Sequence, residues 1–267
     1  YIMGILNITP DSFSDGGKYM TVNRGIERAW RMVEEGADII DIGGESTRPG
    51  STSISFEEEI HRVLPIIEAL GKDFPIPISI DTYKSEVAKL AIAAGAQMVN
   101  DISALRMDPR LGDVIAEEKI PVVLMHMKGQ PKDMQKDPTY KSVVSEVSKF
   151  LRDSIARAKE YGISDENIII DPGIGFGKTH LHNLQLLRRL KEFKSIGFPI
   201  LLGTSRKAFI GKTLNLATED RIEGTSATVA LAVASGVDIV RVHDVKHMAK
   251  VVKMADAIVR GGELYER

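Results

Sequence analysis

The stretch IPISIDTYKSEVAKLAIAAGAQMVN, residues 76–100, decides the fold, because it contains one full repeat of a pattern that runs along the whole chain. A short apolar run, 76–80, ends at the charged residue Asp81. After a stretch with helical periodicity, a second apolar run, 96–99, ends at Asn100. A strand, a helix and a second strand in this order are typical of a parallel sheet.

The same kind of apolar run occurs eight times between Ile2 and Arg241. The runs are 2–6, 37–40, 76–80, 96–99, 121–125, 168–170, 199–202 and 237–240, and they end at or just before Asn7, Asp41, Asp81, Asn100, His126, Asp171, the pair Thr204 and Ser205, and Arg241. One repeat takes about 33 residues, which suits a (β/α)8 barrel, or TIM barrel, of about 250 residues. The pattern predicts an α/β fold with one domain over residues 1–267. Active sites of such barrels lie at the carboxyl ends of the strands.

Composition and charge exclude several classes of function. The formal net charge of −2 provides no global positive field for nucleic acid, and no basic run indicates a membrane surface. The absence of cysteine excludes disulfides and thiolate-bound metals, and it fits a reducing cytoplasm. The sequence has no signal-like or membrane-length apolar stretch. Because the first run follows Tyr1 directly, we expect a short native segment to precede it.

The predicted helices are amphipathic and carry no functional signal. Ser55, with Glu58 three residues later, predicts a capping box at the start of one helix. One face of that helix carries Ile60, Val63, Leu64 and Ile67. We expect this face to pack on the barrel.

The connections after the first two strands are unusually long. They cover 7–21 and 43–55, whereas such loops normally have about two to six residues. Long loops on the catalytic rim are usually lids or binding loops.

The first long loop begins NITPDSFSDGG, residues 7–17, and offers several oxygen ligands together with an isolated aromatic residue, Phe13. Alternatively, this polar loop only solvates itself and Phe13 folds back onto the barrel. The second begins DIGGESTRPG, residues 41–50, where two adjacent glycines permit close backbone approach to a ligand. Its Arg48 has a planar donor fork suited to carboxylate or phosphate, although it could equally be a surface arginine in solvent.

Three short side chains with acceptor oxygens, Asp81, Asn100 and Asp171, end three different strands. They would converge at the mouth of the barrel and match a flat heterocycle with several N–H and NH2 donors, much as carboxylates read the amino edge of a base. A single Asp at a strand end is often just a helix cap. Three such residues at three strand ends make helix capping a weaker explanation for the whole set.

A second set, Lys207, Arg241 and His243, is positively charged or can become so. TSRKAFIG, 204–211, and RVHDV, 241–245, follow the seventh and eighth strands, where this barrel usually binds phosphate. His243 could instead be a structural histidine. Nearby Arg206 is predicted to be a solvated surface charge.

Two tempting motifs do not support other functions. DPGIGFGKT, 171–179, lacks the first glycine of a phosphate loop because Pro172 stands there, so we expect its glycines to form a turn that presents Phe176 to the rim. His180 and His182 cannot share a helix face as metal ligands. His243 and His247 could share one, but a zinc site would need a third ligand.

Eight segments together closely resemble the dihydropteroate synthase family. They are MGILNITPDSFSDGG, DIGGESTRPG, ISIDTYKSEVA, VNDIS, LMHM, DPGIGFGKT, LLGTSRKAFIG and RVHDV, and the resemblance runs from Ile2 to about Ile258. Members of this family join 6-hydroxymethyl-7,8-dihydropterin pyrophosphate to 4-aminobenzoate, which releases pyrophosphate and gives 7,8-dihydropteroate for folate synthesis. Sulfonamide drugs mimic the aminobenzoate.

The resemblance implies a role for each matching residue. The pterin edge would be held by Asp81, Asn100 and Asp171, with Lys207 on the ring atoms and Met125 and Arg241 lining the faces. The pyrophosphate site would comprise Asn7, which would ligate Mg²⁺, together with Thr47, Arg241 and His243. The aminobenzoate pocket would comprise Phe13, Arg48, Pro49, Phe176, Ser205 and Lys207. Asn7, Lys207, Arg241 and His243 would be the catalytic residues, in a cytoplasmic homodimer.

An SN1-like path is expected for this reaction. Mg²⁺ and Arg241 would neutralise the growing charge of the pyrophosphate, and the electron-rich dihydropterin can stabilise the methylene cation left behind. Aminobenzoate is a weak nucleophile that needs orientation and a dry pocket. Two alternatives remain: a pterin-binding methyltransferase, which would not need Arg241 with His243, and a non-catalytic homologue, which would tolerate loss of Asn7, Lys207 or Arg48.

Overall fold

A computed structural model describes residues 1–9, 18–48, 50–71 and 73–261, with the backbone only at 18–21. Its strands are β1 (Ile2–Asn7), β2 (Ile39–Gly43), β3 (Ile78–Asp81), β4 (Met98–Asp101), β5 (Val122–Met125), β6 (Ile168–Asp171), β7 (Leu201–Gly203) and β8 (Ile239–Val242). Its α-helices are α1 (Lys18–Glu34), α2 (Phe56–Leu70), α3 (Ser85–Ala94), α4 (Arg110–Glu118), α5 (Val143–Glu160), α6 (His180–Arg188), α7 (Ala208–Leu214), α8 (Ile222–Ala234) and α9 (Val245–Arg260). Short 3-10 helices cover Asp165–Asn167 and Leu190–Ile196.

The strands form one parallel sheet that curls into the predicted TIM barrel. The strand order is β6-β5-β4-β3-β2-β1-β8-β7. A parallel bridge between Ile170 and Ile200 joins the two ends of this order and closes the barrel. Each of the eight apolar runs overlaps one strand, so the fold and its single domain are confirmed.

The barrel interior begins with an apolar floor. Successive side chains of a strand point to opposite faces, so one residue in two points inward. The floor is a separate hydrophobic cluster whose members are Met3, Ile39, Met98, Val123, Ile169, Leu201 and Ile239. Each comes from a different strand, which is the layered packing typical of this fold.

Outward-facing strand residues pack against the helices and form the main core. Ile40, Ile80 and Val99 belong to this core together with Val63 and Ile67 of α2. The Ser55 hydroxyl accepts a hydrogen bond from the Glu58 N–H at 3.3 Å and caps this helix, as predicted. The same helix also buries one charged residue, Glu59.

None of the helices in the described residues is long and apolar enough to cross a membrane.

Candidate active site

A polar layer lies one step above the apolar floor, toward the carboxyl ends of the strands. Two positions after each floor residue come four polar residues, Asp41, Asn100, Asp171 and Arg241, and three that are not polar, Ile5, Met125 and Gly203. Because every second residue of a strand points to the same face, these residues line the barrel interior. The strand pattern therefore builds a pocket with an apolar base and polar walls at the catalytic end of the barrel.

Arg241 is the centre of this layer. Its Nε lies 2.6 Å from Oδ2 of Asp41, and its Nη2 lies 2.7 Å from Oδ2 of Asp81. Burial alone would lower the pKa of Arg241, but the two carboxylates outweigh it and raise this pKa above its usual value. A guanidinium has five N–H groups, and these two bonds leave the others available to a ligand.

Asp41 also orients Asn100. The Nδ2 of Asn100 donates to Oδ2 of Asp41 at 3.0 Å, and both side chains are buried. A carboxylate only accepts hydrogen bonds, so the NH2 group of Asn100 must face Asp41. This orientation leaves the Oδ1 of Asn100 to act as an acceptor, and its role toward a ligand stays a prediction. Asp41 itself was not among the predicted site residues, and no described residue donates to its Oδ1.

The two predicted carboxylates, Asp81 and Asp171, are both buried at strand ends. Burial raises the pKa of each, while Arg241 opposes the rise at Asp81 and Lys207 opposes it at Asp171. Oδ1 of Asp171 accepts the N–H of Gly173 at 2.7 Å. The two side chains thus offer acceptors inside a largely dry pocket, where an unpaired ligand donor would be costly.

Lys207 lies beside the loop that follows β6. Its Nζ donates to the carbonyl of Ile174 and lies 4.8 Å from the ring centroid of Phe176. Burial lowers the pKa of Lys207 to about 8, with Asp171 acting in the opposite direction. Phe176 and Lys207 are therefore neighbours on the rim, where the sequence placed them.

The lysine of the failed phosphate-loop motif, Lys178, has a structural role. Its buried Nζ lies 2.8 Å from Nδ1 of His126 and donates to the carbonyls of Gly173 at 2.7 Å and Phe176 at 3.0 Å. Gly173 has φ of +66°, and a Cβ there would come within 1.9 Å of the His126 carbonyl oxygen. Lys178 thus fixes the turn that presents Phe176, and its ammonium does not face the pocket mouth.

His243 follows β8 and is tied to Ser205. The Ser205 Oγ accepts the backbone N–H of His243 at 3.2 Å and lies 3.0 Å from its Nδ1. Burial, then the charge of Arg241, lowers the pKa of His243 to about 4, so the imidazole is neutral near pH 7. Ser205 thus adjoins the predicted pyrophosphate site, and its aminobenzoate contact stays a prediction. Arg206 is not a solvated charge as predicted, because its Nε donates to Asp244 at 2.9 Å.

The rim residues of the second long loop are less buried than the strand ends. Thr47 is half-buried and Arg48 is exposed. The Arg48 carbonyl accepts the N–H of Ser51 at 3.0 Å, which closes a turn. Phe13 and Pro49, both predicted for the aminobenzoate pocket, lie outside the described residues.

The described part of the rim offers few protein ligands for a metal ion. Within the described ranges, no three His, Cys, Asp or Glu side chains are grouped so as to hold an ion. Asn7 ends β1 in register with Gly43, and Gly43 is in register with Asp81, so Asn7 shares the rim with the polar layer. One amide oxygen fits a hard ion such as Mg²⁺ that takes its other ligands from phosphate and water.

Comparisons with known proteins agree with this geometry. The family model described as pterin binding enzyme matches residues 3–243, so the barrel and its polar layer are those of a pterin-binding enzyme. The chain is 51% identical to dihydropteroate synthase of Synechocystis over 97% of its length and 90% of the relative. It is 48% identical to dihydropteroate synthase of Bacillus subtilis over 99% of its length and 90% of the relative.

Solved structures give the same result. Dihydropteroate synthase from Clostridium difficile, studied in the presence of pteroic acid, is similar with a TM-score of 0.92 and 48% identity over 97% of both chains. The Xanthomonas albilineans enzyme in complex with 7,8-dihydropteroate has a TM-score of 0.87 and 43% identity over 96% of this chain and 92% of that one. The chain belongs to the dihydropteroate synthase family, whose members are transferases of folate biosynthesis.

Proposed function

We propose that this protein condenses 6-hydroxymethyl-7,8-dihydropterin pyrophosphate with 4-aminobenzoate to give 7,8-dihydropteroate and pyrophosphate. The observation that carries the proposal is the combination of acceptors and cations at the strand ends. Asp171 is buried close to the charges of Lys207 and Arg241, and Asn100 and Arg241 share Asp41 as a hydrogen-bond partner. A pterin-binding methyltransferase would need no such cationic site for a leaving group. A non-catalytic homologue would not need Asn7, Lys207 and Arg48 all to be present.

The pterin would lie on the strand ends. Asp81, the Oδ1 of Asn100 and Asp171 would accept the N–H groups of its edge, with Met125 against one face and Lys207 on the ring atoms. Each buried acceptor that pairs with a ligand N–H is worth about 1 to 3 kcal/mol relative to an unpaired one. This pairing is the source of specificity for a heterocycle rich in donors.

The pyrophosphate would lie between Arg241, His243 and Thr47. The free N–H groups of Arg241 can donate to phosphate oxygens while Asp41 and Asp81 hold its other donors. His243 is neutral at pH 7, so it would donate one N–H without adding charge. Bound Mg²⁺, with Asn7 as its protein ligand, would supply further charge neutralisation at the leaving group.

Carbon–oxygen cleavage precedes attack in this proposal, because the donors of Arg241 and His243 favour charge that grows on the pyrophosphate. The electron-rich dihydropterin stabilises the methylene cation. The aromatic amine then attacks, and its proton leaves to water or phosphate. Arg48 would pair with the aminobenzoate carboxylate, and Phe176 with Ser205, Lys207, Phe13 and Pro49 would complete that pocket.

The aminobenzoate pocket would also be the target of sulfonamides. The Yersinia pestis dihydropteroate synthase, 42% identical to this chain, was solved with a sulfonamide drug. The planar donor fork of Arg48 could pair with either a carboxylate or a sulfonyl group, which supports sulfonamide binding in the same pocket here.

A homodimer is part of the proposal, and the surface of α8 and α9 supports it. Leu231 of α8 is 64% exposed, and Met254 and Ile258 of α9 are 62% and 71% exposed. Exposed large apolar side chains on two neighbouring helices favour an interface. We also propose a cytoplasmic location, which the lack of cysteine fits.

The direct test of the reaction is product formation. The purified protein with both substrates and Mg²⁺ should release pyrophosphate and form 7,8-dihydropteroate, and no 7,8-dihydropteroate should form when aminobenzoate is omitted. Arg241→Ala should be inactive under the same conditions. Lack of product with the wild-type protein would contradict the proposed function.

A further inference from the structure

A buried ion cluster lies outside the pocket, at the base of the second long loop. Its members are Glu45, Glu59 and Lys84, whose side chains are only 7%, 1% and 15% exposed. The Lys84 Nζ lies 2.6 Å from Oε2 of Glu45 and 2.6 Å from Oε2 of Glu59. One ammonium therefore joins two carboxylates that come from different elements.

The cluster ties the two ends of the loop together. The Lys84 Nζ also donates to the carbonyl of Ile54 at 2.8 Å. Oε2 of Glu45 accepts the N–H of the same Ile54 at 3.2 Å, and Oε1 of Glu45 accepts the hydroxyl of Tyr83 at 3.0 Å. Residues 45 and 54 are thus held at a fixed separation, on a base formed by β3 and α2.

The segment enclosed by these bonds carries the rim residues. Thr47 and Arg48 lie between Glu45 and Ile54, two and three residues beyond the anchored carboxylate. The N–H of Gly50 donates to the carbonyl of Pro131 at 3.0 Å, which ties the loop tip to the loop after β5. The ion cluster and this bond together determine where Arg48 can reach.

Burying the charged groups of this cluster costs free energy, so the cluster is a poor way to stabilise the fold. Glu59 lies on the face of α2 that packs on the barrel, and burial raises its pKa although Lys84 opposes this. No described residue bonds to its Oε1. Replacing buried ion pairs by apolar residues of similar size is often neutral or stabilising. A positioning role explains the cluster better than a contribution to stability.

We propose that Lys84, with Glu45 and Glu59, positions the loop that carries Thr47 and Arg48 and thereby sets the productive binding of aminobenzoate. The inference rests on the proposed function, because it takes the roles of Thr47 and Arg48 from there. The cluster residues are positioning residues that act through the loop. The strand ends that would hold the pterin are built independently of these bonds.

The size of the effect follows from the sensitivity of transfer reactions to geometry. A displacement of about 1 Å of a substrate-binding group can cost on the order of 100-fold in rate. Freeing the loop ends should therefore lower kcat/KM for aminobenzoate by about tenfold to 100-fold. Pterin affinity should stay close to the wild-type value.

The test uses the double variant Lys84→Met with Glu59→Gln. It removes one positive and one negative charge, so the cluster keeps its net charge while the cross-links are lost. The matched control is Lys89→Met, which removes an exposed lysine from α3. Steady-state kinetics give KM and kcat for both substrates, calorimetry gives pterin affinity, and thermal unfolding confirms that each variant is folded.

The expected result is a raised KM for aminobenzoate in the double variant, with pterin affinity retained and Lys89→Met equal to wild type. The single variant Lys84→Arg should lose less kcat/KM for aminobenzoate than the double variant, because arginine keeps a cation between the two carboxylates. If the double variant does not fold, Glu45→Gln tests the same link through Ile54 and Tyr83. An unchanged kcat/KM for aminobenzoate, or an equal fall in pterin affinity, would overturn the inference. An inactive wild-type protein would instead contradict the proposed function.

Discussion

Replacing Asp41 by Asn tests whether this buried carboxylate organises the pterin site. One oxygen of Asp41 accepts from both Arg241 and Asn100, at 2.6 and 3.0 Å. An amide has one acceptor oxygen, and its NH2 group would face one of these donors. Asn100 would then be free to turn its own NH2 toward the pterin, where an acceptor is required.

The magnitude follows from the bonds that are lost. A hydrogen bond to a charged group contributes about 1.5 to 3 kcal/mol. Arg241 keeps Asp81 as a partner, at 2.7 Å. We therefore expect a loss near the lower end of that range in pterin binding, which is about tenfold in affinity. Calorimetry with pteroic acid measures it.

The control is Asp101→Asn. Asp101 is equally buried, one residue beyond Asn100, but its partners lie in the loop after β4: it accepts the backbone N–H groups of Ser103 at 2.7 Å and Leu105 at 2.6 Å. It should lose stability in denaturant unfolding without losing pterin affinity. Wild-type pterin affinity in Asp41→Asn, or the same loss in both variants, would refute the reasoning.

Three further predictions concern other parts of the site. Asp171→Ala should weaken pterin binding by about 1 to 3 kcal/mol, because it leaves ligand donors unpaired, and unchanged affinity in calorimetry would contradict the assignment. Lys207 loses its charge as pH rises through about 8, so kcat/KM for the pterin substrate should fall above that pH. In Lys207→Arg the residual activity should not show this fall, because arginine stays charged; a fall at the same pH would assign the titration to another group. Chelation of Mg²⁺ should abolish activity reversibly without unfolding the barrel, and full activity in excess chelator would remove Asn7 from its proposed role.

The barrel and most of its polar layer could be predicted because both follow from short-range patterns. An apolar run marks each strand, and the residue at its end must lie on the rim. Asn100 and Asp171 were found in this way. Asp41 could have been found by counting two residues past the floor residue Ile39, but a lone Asp before two glycines also fits a turn or a cap.

The long-range pairings could not be predicted from the sequence. Lys84 is 39 residues from Glu45 and 25 from Glu59. The helical period places Glu59 on the same face as Val63 and Ile67, but it does not show which cation the buried carboxylate would meet. Ser205 was assigned from its position in a motif, whereas its hydroxyl faces His243. Such partners depend on side-chain direction within the folded barrel, which the order of residues along one element does not define.

In the proposed enzyme the strand ends bind the pterin. The rim loop that carries Thr47 and Arg48 completes the aminobenzoate site together with Mg²⁺ and pyrophosphate. The most direct measurement is the affinity of 4-aminobenzoate with and without pyrophosphate, Mg²⁺ and a pterin. Although the loop is anchored at Glu45 and Ile54, fixing its exposed Arg48 side chain costs conformational entropy, which contacts from pyrophosphate, Mg²⁺ and the pterin would offset. Aminobenzoate should therefore bind well only when all three are present, and Arg48→Ala should lose this enhancement while keeping wild-type pterin affinity. Equal aminobenzoate affinity in their presence and absence would contradict the claim.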